Sequence, residues 1–401
     1  MLKASKLRVS RKNVFPADLK DRSFQIILMK CARTVFKFCE KFRKVDPTFN
    51  EMALSDKLFN YFPEPDLKTS KCNRTVTKFE NMNIYKFTPK KEVLQGHKVV
   101  YLHGGGWTIG NIEKSYHPLL DNIAHQMSVE IIAPEFRNAP DAPFPIGLDQ
   151  CENFVKYFLG SSGDDRVSLM GDSAGSNLAA VITIELIKQQ LFQGENVKNH
   201  TNGENLKNPK NNKSPNKLPH RIFLIYPYLN VLNTNTPSYN FPTSKYILAK
   251  QASSSFCLNY SGLPFNESNL LTMQTVQTHP ENFKNHELHK FLSNPKVSPL
   301  LYPDETFRLV SESGVKWHLD IPTYDCLYTE GMEFYEKLTR FQVNRSKSDV
   351  SLRFAEGLPH GWTQLLSSYG IGFQTNNKES DKEFEKMTHY MKSLLEDDST
   401  K

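Results

Sequence analysis

Cysteine is scarce in this 401-residue chain: there are six, and no two form a C-x-x-C pair. Cysteines scattered in this way indicate neither a disulfide framework nor a metal site, and the H-E-x-x-H zinc motif is also missing. Long apolar runs are missing too, since none reaches the roughly 18 consecutive residues of a membrane span and no signal-peptide core is present. We therefore expect no metal or other cofactor, and a cytoplasmic or peripheral-membrane location.

Positive charge is concentrated at one end of the chain. The formal net charge is +7, and residues 1–44 alone hold thirteen Lys and Arg against three Asp and Glu. An excess confined to one segment argues against a nucleic-acid-binding body. Within residues 20–44, apolar side chains recur at helical spacing with lysines and arginines largely between them. This pattern predicts a basic amphipathic helix that either packs over the main domain or contacts an anionic membrane surface.

Short apolar strands alternate with helical stretches from about residue 83 onward. The predicted strands are 84–87, 98–102, 129–133, 166–170, 222–226, 317–323 and 350–355, and the predicted helices lie near 118–127, 149–159, 174–190, 331–340 and 383–395. Strands separated by helices imply an α/β fold whose mostly parallel central sheet is covered by helices on both faces. In such sheets, functional residues lie beyond the carboxyl ends of the strands.

Two segments interrupt the alternation. Residues 193–219 are rich in Asn and Lys and almost without apolar side chains, which predicts a polar, disordered loop. Residues 227–300 read as irregular and aromatic-rich, and we assign them to a helical cap over the edge of the sheet. The predicted layout is an N-terminal basic helical segment at 1–80, which includes part of the cap, followed by a catalytic domain at 81–401.

A serine lies where one predicted strand turns into the next helix. The run VSLMGDSAGSNLAAVITIEL carries the G-x-S-x-G pattern as Gly171, Asp172, Ser173, Ala174 and Gly175. Glycines two residues before and after the serine are needed because side chains there would strike the neighbouring strand or helix. Ser173 is therefore a candidate nucleophile, and the alternative is an ordinary tight turn that caps a helix.

Glycine also dominates the loop after an earlier strand. The run YLHGGGWTIG contains, in order, His103, Gly104, Gly105, Gly106 and Trp107. In hydrolases with a serine at a strand-to-helix turn, the oxyanion is bound by the N–H after the serine, here Ala174, and by N–H groups of such a loop. The glycines are thus predicted to bare backbone donors, with His103 fixing the loop. A dinucleotide cradle is disfavoured because the third glycine, Gly110, comes one residue late for G-x-G-x-x-G and no helix opens there.

A base and a carboxylate should follow the serine in the order Ser, Asp or Glu, His. His360 comes just after the last predicted strand, beside a glycine, and is the favoured base. Asp325 lies at the end of the preceding strand, in WHLDIPTYDCLYTEG, and is the favoured carboxylate; Asp320 and Glu330 stay open as alternatives. In this reading His360 removes the proton from Ser173 as the serine attacks a carbonyl, and an acyl-enzyme intermediate forms.

Four motifs together resemble the hormone-sensitive-lipase branch of the α/β-hydrolases, and within it the arylacetamide deacetylase and neutral cholesterol ester hydrolase group. They are HGGGW at 103–107, FRNAPDAPFPIGLD at 136–149, GDSAG at 171–175, and D-x-L-x-x-x-G at 325–331 followed by HG at 360–361. The resemblance covers about residues 75–395 and implies an α/β-hydrolase fold. It places Ser173, Asp325 and His360 in a catalytic triad, and Gly104, Gly105 and Ala174 in the oxyanion hole.

The resemblance also implies a function and two points of difference. It implies hydrolysis of carboxylic esters, aryl acetamides or neutral lipid esters, so the expected partner is a small ester or amide. A non-catalytic small-molecule receptor of the same fold is the alternative, which the retained His360 disfavours. Deacetylase-like relatives carry an N-terminal anchor in the endoplasmic reticulum that is not seen here. Ser176 stands where relatives commonly have Gly, and we expect little effect from a change on the helix.

Overall fold

The computed structural model describes residues 69–200, 217–240, 250–341, 350–365 and 378–399. The basic helix predicted at 20–44 lies outside these residues, as does nearly all of the N-terminal segment. The same holds for residues 201–216 of the predicted polar loop. The fold and the site described below therefore rest on residue 69 onward.

One eight-stranded sheet forms the centre of the described chain. Its strands are β1 (Cys72–Phe79), β2 (Met82–Pro89), β3 (His97–Leu102), β4 (Glu130–Pro134), β5 (Arg166–Asp172), β6 (Arg221–Ile225), β7 (Lys316–Pro322) and β8 (Val350–Ala355). Their spatial order is β1-β2-β4-β3-β5-β6-β7-β8. Only β2 runs antiparallel to its neighbours, and all other paired strands are parallel. The prediction of a mostly parallel α/β sheet is confirmed.

The central strands are buried on both faces, which explains why they read as short continuous apolar runs. In β3, Val99 and Tyr101 face one layer of helices, and Val100 and Leu102 face the other. β1 has the opposite character, because it is an edge strand with mostly exposed polar side chains. Such a strand gives no apolar pattern to detect.

The structure corrects the predicted domain boundary. β1 pairs along its whole length with β2, from Cys72 opposite Pro89 to Phe79 opposite Met82. A boundary at residue 80 would cut this hairpin at its turn. The last residues of the supposed N-terminal segment therefore belong to the central sheet and not to a cap.

Helices cover both faces of the sheet, as predicted. The helices are α1 (His117–Met127), α2 (Ile146–Ser161), α3 (Ala174–His200), α4 (Lys250–Ser261), α5 (Glu267–Thr278), α6 (Glu287–Leu292), α7 (Asp304–Glu312), α8 (Tyr328–Arg340) and α9 (Lys378–Ser399). α1 and α9 pack together on one face, whereas α2, α3 and α8 cover the other. The two apolar layers between helices and sheet make up the core.

Two segments differ from their predicted form. α3 continues to His200, so residues 193–200 are helical and not part of a loop. Lys, Gln and Glu extend a helix at little cost, and the missing apolar stripe did not prevent it. Residues 227–300 are not irregular either, because they include α4, α5 and α6. α4 is buried nearly all round and rich in serine, so it has no amphipathic stripe by which a helix is recognised.

α4 covers the glycine-rich loop that follows β3. The rings of Trp107 and Tyr260 stack with centroids 4.4 Å apart and planes 3° apart. A Cβ added to Gly106 would lie 2.3 Å from the ring of Phe256. The cap thus rests directly on the loop, at the carboxyl end of the strand, where residues of a parallel sheet commonly carry function.

Candidate active site

Ser173 lies alone between the end of β5 and the start of α3, in a left-handed backbone conformation. Its φ is +51°, a region that residues other than glycine rarely occupy and that costs free energy unless the surroundings enforce it. Two contacts hold it there: its N–H donates to the Ile225 carbonyl at 2.9 Å, and its own carbonyl accepts the Asn177 N–H at 3.2 Å. The turn lifts the hydroxyl clear of the strand.

The flanking glycines are sterically required. A Cβ on Gly171 would lie 2.4 Å from the carbonyl carbon of Gly175, and a Cβ on Gly175 would lie 2.0 Å from the Leu102 oxygen. Both distances are far shorter than a normal contact between these atoms. The G-x-S-x-G spacing is therefore explained by how tightly β3, β5 and α3 pack at this point.

The structure brings together three side chains that are far apart in the sequence. The Oγ of Ser173 lies 2.9 Å from Nε2 of His360, and Nδ1 of that ring lies 2.8 Å from Oδ2 of Asp325. A carboxylate only accepts hydrogen bonds, so we assign the proton to Nδ1, which leaves Nε2 as an acceptor for the serine hydroxyl. Asp325 is 1% exposed, and the serine and histidine are each 8% exposed.

The two alternative carboxylates have partners elsewhere. Asp320 is buried within β7 and pairs with Arg353 at 2.5 Å, and burial raises the pKa of its carboxyl to about 6. Glu330 accepts the backbone N–H groups of Leu229 and Asn230 at 2.6 and 3.1 Å. Of the three candidates, Asp325 is the one bonded to the imidazole.

The glycine-rich loop corrects one predicted donor. The N–H of Gly104 points inward, 2.9 Å from Oδ1 of Asp172 and 3.0 Å from the hydroxyl of Tyr116. It is already engaged, so its assignment to the oxyanion hole is wrong. The N–H groups of Gly105, Gly106 and Ala174 have no acceptor among the residues that the structure describes. The sequence shows three adjacent glycines but not which amides face inward.

His103 holds this loop from inside. Its Nδ1 lies 2.8 Å from the Gly104 carbonyl and donates to it, and its ring stacks on Phe136 at 4.2 Å. Burial lowers the pKa of His103 to about 4, so the ring is neutral at pH 7. Gly105 and Gly106 adopt φ values of +101° and +61°, which glycine tolerates best. The loop is therefore fixed in one shape by its neighbours.

Comparison with known families agrees with this architecture. Residues 99–271 match the family model described as the alpha/beta hydrolase fold. The chain contains an α/β-hydrolase domain of this family. The match spans the glycine-rich loop and Ser173 but ends before the segments that supply Asp325 and His360.

Curated relatives and solved structures extend the likeness of this hydrolase domain. The chain is 28% identical to bovine (Bos taurus) neutral cholesterol ester hydrolase 1 over 81% of its length and 83% of the relative's. It is 31% identical to rabbit (Oryctolagus cuniculus) arylacetamide deacetylase over 45% of its length and 43% of that protein's. Carboxyl esterase 2 of the fungus Tuber melanosporum superposes with a TM-score of 0.59 at 15% identity, covering 87% of this chain and 98% of the esterase. The resemblance stated from the motifs is confirmed.

Three tyrosines around Asp172 were not predicted. The hydroxyls of Tyr101, Tyr116 and Tyr226 lie 2.8, 2.9 and 3.2 Å from its carboxylate oxygens. In the sequence these tyrosines are indistinguishable from ordinary core aromatics. The available signal was the aspartate itself, because a charged residue between a buried strand and a nucleophile needs hydrogen-bond donors.

Ser176 is also more involved than its position on a helix indicated. Its Oγ lies 2.5 Å from the Gly171 carbonyl and 3.0 Å from the N–H of Ile225. The hydroxyl thus joins β5 to β6 directly behind Ser173. Its role is addressed below as a prediction of stability.

Metal and membrane features were also searched within the described ranges. In those ranges no group of three or more His, Cys, Asp and Glu residues could hold a metal ion. No described helix is both long and apolar enough to cross a bilayer. Four described cysteines, Cys72, Cys151, Cys257 and Cys326, are buried and free.

Proposed function

We propose that this protein is a serine hydrolase that cleaves carboxylic esters through an acyl-enzyme intermediate. The observation that supports this best is the unbroken line of hydrogen bonds from Ser173 Oγ to His360 and from there to Asp325, at 2.9 and 2.8 Å. Beside it lie amide groups that are free to bind a developing negative charge. A binding protein has no need of either feature in this arrangement.

In the proposed mechanism, Nε2 of His360 takes the hydroxyl proton as Ser173 attacks the substrate carbonyl. Asp325 stabilises the imidazolium that forms and holds the ring in the right tautomer. The tetrahedral oxyanion is bound by the N–H groups of Gly105, Gly106 and Ala174, each worth roughly 3–4 kcal/mol in the transition state if lost alone. His360 then protonates the leaving alcohol, and water attacks the acyl-enzyme by the same route.

The substrate class is proposed from the cap and the relatives. α4 presents Phe256 and Tyr260 against the oxyanion loop, and Trp107 stacks on Tyr260, so the surroundings of the site are aromatic and apolar. Such walls suit acyl or alcohol groups without charge. The relatives are named for cholesterol esters and aryl acetamides, and we propose neutral lipid esters and aryl acetamides as the substrates to test first.

The function is tested with a fluorophosphonate probe and p-nitrophenyl esters. We expect the probe to label the protein and the esters to be hydrolysed, and we expect Ser173→Ala to abolish both. The Tm of the variant should stay within a few degrees of the parent, because the hydroxyl donates only to His360. Folded parent protein that is neither labelled nor active would contradict the proposal and favour the non-catalytic receptor.

A further inference from the structure

We propose that the buried carboxyl of Asp172 is a positioning residue that locks the oxyanion loop and the His360 loop to the turn that carries Ser173. The inference rests on the proposed hydrolase function, because it concerns the geometry of that site. It goes further by assigning the residue that joins the separate parts. Asp172 is 2% exposed and immediately precedes the serine.

All the acceptor positions of this carboxyl are used. Oδ1 accepts the Tyr101 hydroxyl at 2.8 Å and the Gly104 N–H at 2.9 Å. Oδ2 accepts the hydroxyls of Tyr116 at 2.9 Å and Tyr226 at 3.2 Å. A carboxylate offers about four acceptor sites, so four donors saturate it. The bond to Gly104 ties the oxyanion loop directly to the residue before Ser173.

Tyr226 carries the connection on to the histidine. Its hydroxyl is hydrogen-bonded to Thr363 Oγ1 as well as to Asp172, and Thr363 lies three residues after His360. Its ring packs edge-on against the imidazole, with centroids 5.0 Å apart at 64°. Asp172 therefore connects loops that follow three different strands of the sheet.

The role is one of geometry and not of charge. Burial raises the pKa of the Asp172 carboxyl, and hydrogen bonds from Tyr101 and Tyr116 act against that rise. A negative charge near the nascent oxyanion would oppose catalysis, so the charge itself is of no benefit. An isosteric amide keeps an acceptor for Gly104 N–H and can donate to the tyrosine oxygens. Asp172→Asn should therefore preserve most of what Asp172→Ala destroys.

The test compares these two variants in kcat, KM and Tm on a p-nitrophenyl ester. We expect Asp172→Ala to lower kcat by about 100-fold, the effect of one misplaced oxyanion donor, with KM changed by less than about threefold. Asp172→Asn should retain kcat within about tenfold of the parent. The inhibition constant of a trifluoromethyl ketone, whose bound oxyanion uses the same amides, should rise in parallel with the loss of kcat.

Tyrosine variants keep the test decisive if Asp172→Ala does not fold. Tyr116→Phe removes a bond to Asp172 and the contact with Gly104 N–H, whereas Tyr101→Phe removes only a bond to Asp172. We expect the larger loss of kcat and of trifluoromethyl ketone affinity for Tyr116→Phe. Parental kcat in folded Asp172→Ala, or equal losses in the two tyrosine variants, would overturn the proposal. A parent without labelling or activity would instead defeat the proposed function.

Discussion

The hydroxyl of Ser176 lies 3.0 Å from the N–H of Ile225, and the carbonyl of Ile225 accepts the N–H of Ser173 at 2.9 Å. One residue of β6 is thus bonded both to Ser173 and to a serine on the first turn of α3. The strands β5 and β6 pair alongside, with Asp172 opposite Ile225. Ser176 therefore supports the strained turn from behind.

Removing this hydroxyl should cost stability more than activity. In Ser176→Ala the buried N–H of Ile225 loses its partner, which lowers the free energy of unfolding by about 1–3 kcal/mol. Urea denaturation measures this loss, and kcat should fall by less than about tenfold. The control is Ser311→Ala on the exposed side of α7, expected within about 0.5 kcal/mol of the parent. Equal stability of the two variants would show that Ser176 is not a support.

The choice of Asp325 over Asp320 can be tested with paired amide substitutions. Asp325→Asn should lower kcat by about 10⁴-fold, because an amide favours the wrong imidazole tautomer. Asp320→Asn instead weakens a buried ion pair with Arg353 and should lower the free energy of unfolding by about 3 kcal/mol or more. Its kcat, measured below its Tm, should stay near that of the parent. The reverse pattern would show that the carboxylate is wrongly assigned.

Stability should fall with acidification through the buried histidines. Burial lowers the pKa of His103 to about 4 and that of His318 to about 3. In the unfolded chain each ring takes up a proton below about pH 6.5, whereas in the fold it stays neutral to far lower pH. Their contribution is intact above pH 6.5 and is lost as the pH falls towards the folded values.

Urea titrations between pH 7 and pH 4 measure this effect. His103→Gln should make the free energy of unfolding depend less steeply on pH in that range, because one group that titrates differently in the two states is gone. The matched control is His389→Gln, at an exposed position on α9. A slope for His103→Gln equal to that of the parent would show that the buried ring does not contribute.

The opposite edge of the sheet should matter for folding alone. There Asp398 of α9 pairs with Arg221 at 3.1 Å, with His220 at 2.8 Å and with Lys316. Hydrogen bonds from His220 and Lys316 hold the pKa of its carboxyl well below the usual range, although burial opposes this. Asp398→Asn leaves the buried Arg221 undercompensated and should lower the free energy of unfolding by about 3–5 kcal/mol. Its kcat at low temperature should match the parent, and a selective loss of kcat would contradict this separation.

Much of the fold could be predicted because parallel strands buried on both faces leave short apolar runs. β3 and β5 to β8 were recognisable in this way, and so was the turn at Ser173. The edge strand β1 was missed because its side chains are polar and its place is set by pairing with β2. α4 was missed because burial on all sides leaves no amphipathic stripe. Both depend on long-range packing that local patterns do not carry.

The candidate site could be predicted at the level of chemistry but not of direction. Chain order and strand ends selected Ser173, Asp325 and His360, and the structure places them within hydrogen-bond distance. Which of three glycine amides faces inward depends on the loop's φ values and on the buried carboxyl of Asp172. Neither can be read from a run of identical residues, so Gly104 was assigned wrongly.

The central claim is that Ser173 forms a covalent acyl intermediate with His360 as its base. Acid-quenched reactions with p-nitrophenyl acetate, followed by peptide mass mapping, test this most directly. We expect an acetyl group on the peptide that contains Ser173, and its absence in Ser173→Ala and His360→Gln. An active parent enzyme that carries the acetyl group on another residue, or on none in the pre-steady-state burst, would contradict the account.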